Sequence, residues 1–168
     1  MWRAKLGLLR ISLKTGRVTL PYPAAPHPPA EGFRGLPELD GTQCVGCGAC
    51  VNACPARLIG LYDREGRRVL TANLHRCTYC GRCAEVCPTG AMRMSTQFET
   101  VTADPAQLHL RADLQLAGCT ACGRPLGTTR QMVQYMAELG LDPGTAALCT
   151  RCKRRGMAGR LREVYRRG

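Results

Sequence analysis

The sequence contains CVGCGACVNACP at residues 44–55, and the same cysteine spacing returns 33 residues later in CTYCGRCAEVCP at residues 77–88. Bacterial ferredoxins that carry two [4Fe–4S] clusters use this spacing, and the fourth cysteine of each run binds the cluster of the other run. We therefore predict two clusters with interleaved ligands. Cluster I takes Cys44, Cys47, Cys50 and Cys87, and cluster II takes Cys77, Cys80, Cys83 and Cys54.

Twelve cysteines in 168 residues is an even number, which a disulfide framework would also give. Against disulfides, the start MWRAKLGLLRISLK has too short an apolar run for a secretory signal. No stretch approaches the ~20 apolar residues that span a bilayer. We therefore expect a protein that is cytoplasmic or bound to the cytoplasmic face of a membrane, where reduced thiols bind metal.

A third metal site is indicated further along the chain. The pairs Cys119-x2-Cys122 and Cys149-x2-Cys152 are separated by 26 residues, and two such pairs are typical of a tetrahedral four-thiolate site for zinc or for a single iron. We favour structural zinc, with a rubredoxin-type iron as the alternative. Such a closed site holds structure and does not catalyse.

Periodicity predicts the elements around these sites. Residues 2–14 read as an amphipathic helix, with Trp2, Leu6, Leu9 and Leu13 on one stripe. Six prolines between residues 21 and 37 predict an extended arm. Strands are predicted at 58–62 and 67–71, joined by a turn at 63–66, and at 108–116, where leucine and alanine alternate with polar residues. Helical turns are expected after each Cys-Pro, and Thr128 is expected to cap a helix that ends at Gly140.

These elements predict an α+β fold with four regions. Residues 1–41 form the helix and the proline-rich arm, which we expect to contact partner subunits. Residues 42–94 form a ferredoxin-like module with two clusters, residues 95–117 a connecting strand segment, and residues 118–168 a zinc-ribbon-like domain with a basic tail. Aromatic residues make up only 5% of the chain, so we expect a thin core that depends on its metal groups.

Positive charge is concentrated at the C-terminal end. The formal net charge is +12, and one acidic residue, Glu163, accompanies eight basic residues in 149–168: Arg151, Lys153, Arg154, Arg155, Arg160, Arg162, Arg166 and Arg167. Such a tail suits anionic lipid or an acidic protein partner. We expect no nucleic-acid partner, because no set of stacking aromatic residues accompanies the tail.

Two stretches before the first cysteine resemble a known family. KTGRVTLPYP at residues 14–23 and EGFRGLP at residues 31–37 are similar to the iron–sulfur subunit of formate hydrogenlyase and related group 4 membrane-bound [NiFe]-hydrogenases. That family is called formate hydrogenlyase subunit 6 or hydrogenase 4 component H. Its members share the Tyr-Pro arm, the Gly-Phe-Arg-Gly motif and the two-cluster core, and many end in two cysteine pairs.

The resemblance implies an electron-transfer subunit that passes electrons from a donor module to the hydrogenase small and large subunits, beside membrane-arm subunits. The two-cluster subunit of complex I, which delivers electrons toward quinone, and a free-standing ferredoxin are the alternatives. The donor stays open between formate dehydrogenase, carbon monoxide dehydrogenase and a soluble ferredoxin. We predict no catalytic residue: His27, His75 and His109 are scattered, and no P-loop, catalytic triad or dinucleotide motif occurs.

Overall fold

The first unit of the chain consists of one helix and an extended segment. A computed structural model describes residues 2–25 and 27–167, and the chain divides into residues 1–33 and residues 34–168. Helix α1 spans Trp2–Thr15 and confirms the predicted N-terminal helix. It ends where Gly16 takes a φ of 63° and its N–H donates to the carbonyl of Ser12 at 3.1 Å, a conformation that glycine adopts at little cost.

The apolar residues of α1 cover more of its surface than the predicted stripe. Leu6, Leu9 and Leu13 are exposed, and so are Leu8 and Ile11 on the opposite side. The side chain of Trp2 lies outside the described part of the structure. Residues 17–25 and 27–33 form only turns and extended chain, as the prolines predicted; Pro26 itself lies outside the described residues.

In its described residues, the second unit contains two antiparallel sheets and five helices. Its strands are β1 Pro37–Leu39, β2 Ile59–Arg64, β3 Arg67–Asn73, β4 Met92–Met94, β5 His109–Gly118 and β6 Pro125–Thr129. Its helices are α2 Ala49–Ala53, α3 Arg82–Glu85, α4 Arg130–Glu138, α5 Pro143–Ala146 and α6 Thr150–Arg167, and 3-10 turns lie at Leu74–Arg76 and Pro105–Leu108. One sheet pairs β1 with β4, and the other has the order β2-β3-β5-β6.

The hairpin of β2 and β3 confirms the two predicted strands, with a tighter turn than expected. Arg64 pairs with Arg67, which leaves Glu65 and Gly66 as a two-residue turn with φ angles of 51° and 75°. Two positive φ angles are typical of the type I′ turn, whose twist matches that of the strands it joins.

Strand β5 joins the two cysteine-rich regions. Its alternation is as predicted, because Ala112 and Leu114 are buried while Arg111 and Asp113 are exposed. On one side it pairs with β3, and on the other with β6. The segment between the ferredoxin module and the four-cysteine region is therefore a central strand of one continuous sheet.

The short helices α2 and α3 lie inside the cysteine runs, so the prediction of helical turns after each Cys-Pro was wrong. Gly48 and Gly81, each with a φ of 77°, start the two helices. The first helix stops at Cys54, which is extended, with φ −75° and ψ 110°. Proline disfavours helical backbone in the residue before it, so Pro55 ends the helix rather than starting one.

The start of α4 also differs from the prediction by one residue. Thr129, not Thr128, is the N-cap, since its Oγ1 accepts a hydrogen bond from the N–H of Met132 at 3.1 Å. Thr128 still belongs to β6, and a capping residue must be the last extended one. Gly140, with a φ of 80°, follows the end of α4 as predicted.

The core of the second unit is small and includes cysteines. Leu70 of β3 and Leu114 of β5 are its most buried large side chains, and Cys44 and Cys50 belong to the same cluster. A second, smaller cluster surrounds Cys119. Among the helices of the described ranges, none combines the length and apolar character needed to cross a bilayer.

Candidate metal centres

We call residues 44–50 the first loop and residues 77–83 the second loop. Each loop has two positive φ angles: 67° at Gly46 and 77° at Gly48, and 54° at Tyr79 and 77° at Gly81. The backbone therefore has left-handed residues at the same two positions in both loops. A left-handed conformation costs a residue with a Cβ about 1–2 kcal/mol, so packing around Tyr79 must hold it there.

The structure brings the four cysteines predicted for cluster I together around one cavity. The lining consists of these four cysteines and mostly apolar neighbours, which include Leu39, Leu70 and Met92. Three of these cysteines come from the first run and one from the second, as interleaved ligation requires. An apolar cavity faced by four thiols fits a [4Fe–4S] cluster.

Backbone N–H groups face the sulfurs of this cavity. The N–H of Met92 donates to Sγ of Cys87 at 3.4 Å. Burial raises the pKa of Cys44, and the N–H of Gly46, which interacts with the sulfur, opposes that effect. Burial also raises the pKa of Cys50 to about 11. As metal ligands, both thiols would nevertheless be deprotonated. Such N–H groups stabilise negative charge on cluster sulfurs.

The second set of cysteines differs in burial from the first, in which Cys44 and Cys50 are buried and Cys47 is exposed. Cys77, Cys80 and Cys83 are half-buried; burial raises the pKa of Cys83, and the thiols of Cys77 and Cys80 raise it further. Sγ of Cys54 accepts a hydrogen bond from the N–H of Leu58 at 3.4 Å. The fourth cysteine of each run thus accepts a backbone hydrogen bond from a residue four or five positions further along the chain.

The third site is a compact group of four thiols. The Sγ atoms of Cys119, Cys122, Cys149 and Cys152 all lie within 4.8 Å of one another. Cys119 directly follows β5, and the other pair spans the start of α6. The N–H of Cys149 donates to Sγ of Cys119 at 3.3 Å, and this bond lowers the pKa of Cys119 to about 6. A stabilised thiolate suits metal ligation.

Distances distinguish this group from disulfides and from the two loops. Sγ of Cys122 and Sγ of Cys149 are 3.8 Å apart, whereas a disulfide bond is about 2.05 Å long, and all twelve cysteines are free. Tetrahedral Zn–S bonds of ~2.3 Å separate neighbouring sulfurs by about 3.8 Å. Within the described ranges, no three of the other eight cysteines come this close, as expected for thiolates around a four-iron cube.

Two of the three histidines contact each other. The rings of His75 and His109 pack edge to face, with centroids 5.5 Å apart. Among the described residues, the one group of three or more potential ligands that comes close enough for a single ion is made of cysteine alone.

Sequence reasoning missed three side chains that bind loop carbonyls. In the first loop, Oγ1 of Thr129 donates to the carbonyl of Val45 at 2.6 Å, and Nη1 of Arg68 donates to that of Gly46 at 3.2 Å. In the second loop, Nη1 of Arg34 donates to the carbonyl of Cys80 at 3.3 Å. Arg34 belongs to the Gly-Phe-Arg-Gly motif, which was a usable signal; the other two contacts have no local sequence signal.

The comparisons with known proteins support a 4Fe-4S core. The family model of the 4Fe-4S dicluster domain matches residues 43–91. Formate hydrogenlyase subunit 6 of Escherichia coli (strain K12) is 34% identical over 152 residues, which is 84% of this chain and 84% of that protein. The chain belongs to the formate hydrogenlyase subunit 6 family.

Two further matches are partial. F(420)H(2) dehydrogenase subunit I of Methanosarcina mazei is 51% identical over 39 residues, 23% of this chain and 22% of that protein. A chain of the membrane-bound sulfane sulfur reductase, an archaeal respiratory membrane complex, is 31% identical, with a TM-score of 0.45 over 60% of this chain and 56% of that one. As a member of its family, this chain is an electron-transfer iron–sulfur subunit with [4Fe–4S] clusters.

Proposed function

We propose that this subunit relays electrons through two [4Fe–4S] clusters inside a membrane-bound [NiFe]-hydrogenase complex of the formate hydrogenlyase type. The observation that carries the proposal is the match to formate hydrogenlyase subunit 6 over 84% of both chains. It extends well beyond the 49 residues of the dicluster domain at 43–91, so it includes segments that a free ferredoxin does not need.

The ligand sets of the two clusters follow the spacing. We assign Cys44, Cys47, Cys50 and Cys87 to cluster I, and Cys77, Cys80, Cys83 and Cys54 to cluster II. Each cluster accepts and releases one electron at a time. The chain supplies thiolate ligands, N–H groups that face the sulfurs, and an apolar wall that excludes water.

We assign the third site, Cys119, Cys122, Cys149 and Cys152, to structural zinc, with a single iron as the alternative. The closed set of four thiols supports a structural role. Metal analysis of the pure protein decides between the two. About eight iron and one zinc per chain are expected; nine iron without zinc would assign a rubredoxin-type centre.

We further propose that the subunit binds peripherally on the cytoplasmic side of the membrane, against the hydrogenase small and large subunits and the membrane-arm subunits. Exposed leucines of α1 and the exposed arm at residues 17–25 and 27–33 support contact with partner subunits. So do the basic side chains of α6 that are described, which include Arg151, Arg154 and Arg155; Arg160, Arg162 and Arg167 have side chains outside the described part.

Purification of a tagged chain from native membranes tests the assembly. Co-purification of a nickel-containing protein is expected. The partial match to F(420)H(2) dehydrogenase subunit I favours a second candidate, a subunit of a complex I-like dehydrogenase, and quinone-site subunits without nickel would support it. Recovery of the chain alone from the soluble fraction would contradict both and favour a free-standing ferredoxin.

A further inference from the structure

Thr129 is a buried polar residue in an otherwise apolar core. Its side chain is 0% exposed, and both functions of its hydroxyl group are used. The oxygen accepts a hydrogen bond from the N–H of Met132 at 3.1 Å, and the hydroxyl donates to the carbonyl of Val45, 84 residues away, at 2.6 Å. A carbonyl oxygen can only accept, so the hydroxyl proton must point at Val45.

The carbonyl of Val45 shares its peptide unit with the N–H of Gly46. In a planar trans peptide the C=O and the N–H point in opposite directions. A donor that holds the carbonyl on one side therefore directs the N–H to the other side. Cys44, Val45 and Gly46 line the same cavity, so this other side is the one that holds Cys44, the first ligand that we assign to cluster I.

The Cα of Gly46 is tightly enclosed on the side of Thr129. A Cβ on Gly46 would lie 2.9 Å from Leu114, 3.0 Å from Arg68 and 3.0 Å from Thr129. Arg68 also holds the carbonyl of Gly46. The hydrogen bond from Thr129 therefore forms within a tightly packed part of the first loop.

We propose that Thr129 is a positioning residue for cluster I: its hydroxyl orients and polarises the Val45–Gly46 peptide, and the resulting N–H to sulfur hydrogen bond raises the midpoint potential of cluster I. Reduction adds one negative charge to the cluster, and a hydrogen bond to a ligand sulfur stabilises the more negative form. Hydrogen bonds in series also strengthen one another. The inference rests on the proposed ligation of cluster I by Cys44.

The second loop does not offer the same arrangement. Thr78 occupies the position that matches Val45 and is exposed, whereas Val45 is 5% exposed. Water reaches this part of the second loop, so no buried side chain is required there. The effect of Thr129 should therefore be specific to cluster I.

The test is a redox titration, followed by EPR, of the full chain with both clusters and the third metal in place. Cys47→Ser and Cys80→Ser assign the two midpoint potentials, because each changes one ligand of one cluster. Thr129→Val, which has nearly the same shape but no hydroxyl, should lower the potential of cluster I. The expected change is about threefold to tenfold in its ratio of reduced to oxidised form, tenfold being about 59 mV.

Two control variants distinguish the effect of the Thr129 hydroxyl on the Val45–Gly46 peptide from its role as the N-cap of α4. Thr129→Ser keeps the hydroxyl and should restore the wild-type potential. Gln134→Gly weakens α4 at an exposed position and should leave both potentials unchanged. The proposal is overturned if Thr129→Val leaves the potential of cluster I unchanged, if both clusters shift equally, or if Gln134→Gly reproduces the shift.

A measurement on the wild type covers the case in which Thr129→Val loses cluster I. After transfer to D2O, ENDOR spectra should show a strongly coupled N–H proton at cluster I that exchanges slowly, because the peptide is buried. Absence of such a proton would overturn the inference while leaving the ligation intact. Absence of one whole cluster from the wild type would instead contradict the proposed function.

Discussion

The first and second loops have the same cysteine spacing and the same backbone path, but their surroundings differ. The first loop packs into the core, where Thr129 and Arg68 hold its carbonyls. In the second loop all three cysteines are half-buried, whereas Cys44 and Cys50 of the first loop are buried, and the side chain that holds a carbonyl of the second loop, Arg34, is exposed. A duplicated motif thus determines the number and kind of ligands, while the neighbours of each copy distinguish the two clusters.

The largest effect should come from removing the fourth cysteine of a run, which we assign to the cluster of the other run. Cys87→Ala alters the second run, yet it should remove cluster I and about half of the iron, because the fourth cysteine binds the other cluster. Cys54→Ala is the matched variant and should remove cluster II. Iron analysis and EPR of each variant measure the loss. If Cys87→Ala removed cluster II, each run would bind its own cluster and the interleaved assignment would be wrong.

Loss of the third metal should affect the two loops unequally. Cys122 is exposed, so Cys122→Ser removes a ligand without opening the core. We expect loss of the metal and a lower Tm, since structural zinc contributes directly to folding. The EPR signal of cluster I should broaden more than that of cluster II, because β6 ends at Thr129 beside the first loop. Equal changes in both EPR signals would argue against a structural connection from the third site through β6 to the first loop.

Two glycines provide a matched pair for stability. Gly46 and Gly81 have similar φ angles, 67° and 77°, so alanine should cost about 1–2 kcal/mol at each through backbone strain. At Gly46 the new Cβ would also lie within about 3 Å of three side chains, whereas at Gly81 its nearest neighbour is Arg34 at 3.7 Å. Overpacking should add about 1–3 kcal/mol at Gly46.

Thermal or denaturant unfolding of Gly46→Ala and Gly81→Ala with both clusters bound measures this difference. Gly46→Ala should have the lower stability and the lower cluster occupancy. Similar stabilities for the two variants would mean that the first loop can move away from its neighbours. The inference that tight packing distinguishes the first loop from the second would then be wrong.

The sequence predicted the local features of this fold well. Cysteine spacing located the metal-binding runs, and alternation along residues 108–116 located β5, because both signals act over a few residues. The pairing of β5 with β3 and β6 was not predicted, since the sequence does not encode register between distant strands in a readable pattern. The contact between Thr129 and Val45 spans 84 residues and was invisible for the same reason.

The two wrong predictions, the N-cap of α4 and the helical turns after each Cys-Pro, also have local physical causes. Thr128 and Thr129 are chemically identical candidates for an N-cap, and only the end of β6 decides between them. Short helices lie before each Cys-Pro rather than helical turns after it, because a glycine of each run starts a helix, and Pro55 ends the first of them. Both errors arose where the extent of a neighbouring element, not the residue type, decides the structure.

A smaller effect should follow from opening the second loop to water. Tyr79 packs against the core, and its hydroxyl donates to the carbonyl of Phe98 at 3.3 Å. Tyr79→Ala keeps the same backbone strain, because alanine also has a Cβ, but it removes the ring. We expect a higher potential for cluster II, since solvent exposure favours the more charged reduced form. A redox titration identical to that of the wild type would exclude the shielding role.

The smallest effect should come from the ion pair behind the first loop. Nε and Nη2 of Arg68 donate to the two carboxylate oxygens of Asp63 at 2.7 and 2.9 Å, and these bonds lower the pKa of Asp63. Asp63 is therefore charged at neutral pH and offsets much of the positive charge of Arg68. Arg68→Met should lower the potential of cluster I, and Asp63→Asn should raise it, because each leaves one charge uncompensated.

The side chain of Arg68 is 18% exposed and that of Asp63 39% exposed, so solvent and salt screen both charges and the shifts should be small. Opposite signs at cluster I, with cluster II unchanged, would show that charge acts on the first loop separately from the hydroxyl of Thr129. Shifts of the same sign would mean that both substitutions act by loosening the loop. Titrations at low and high salt separate these cases, because a charge effect shrinks with added salt and a packing effect does not.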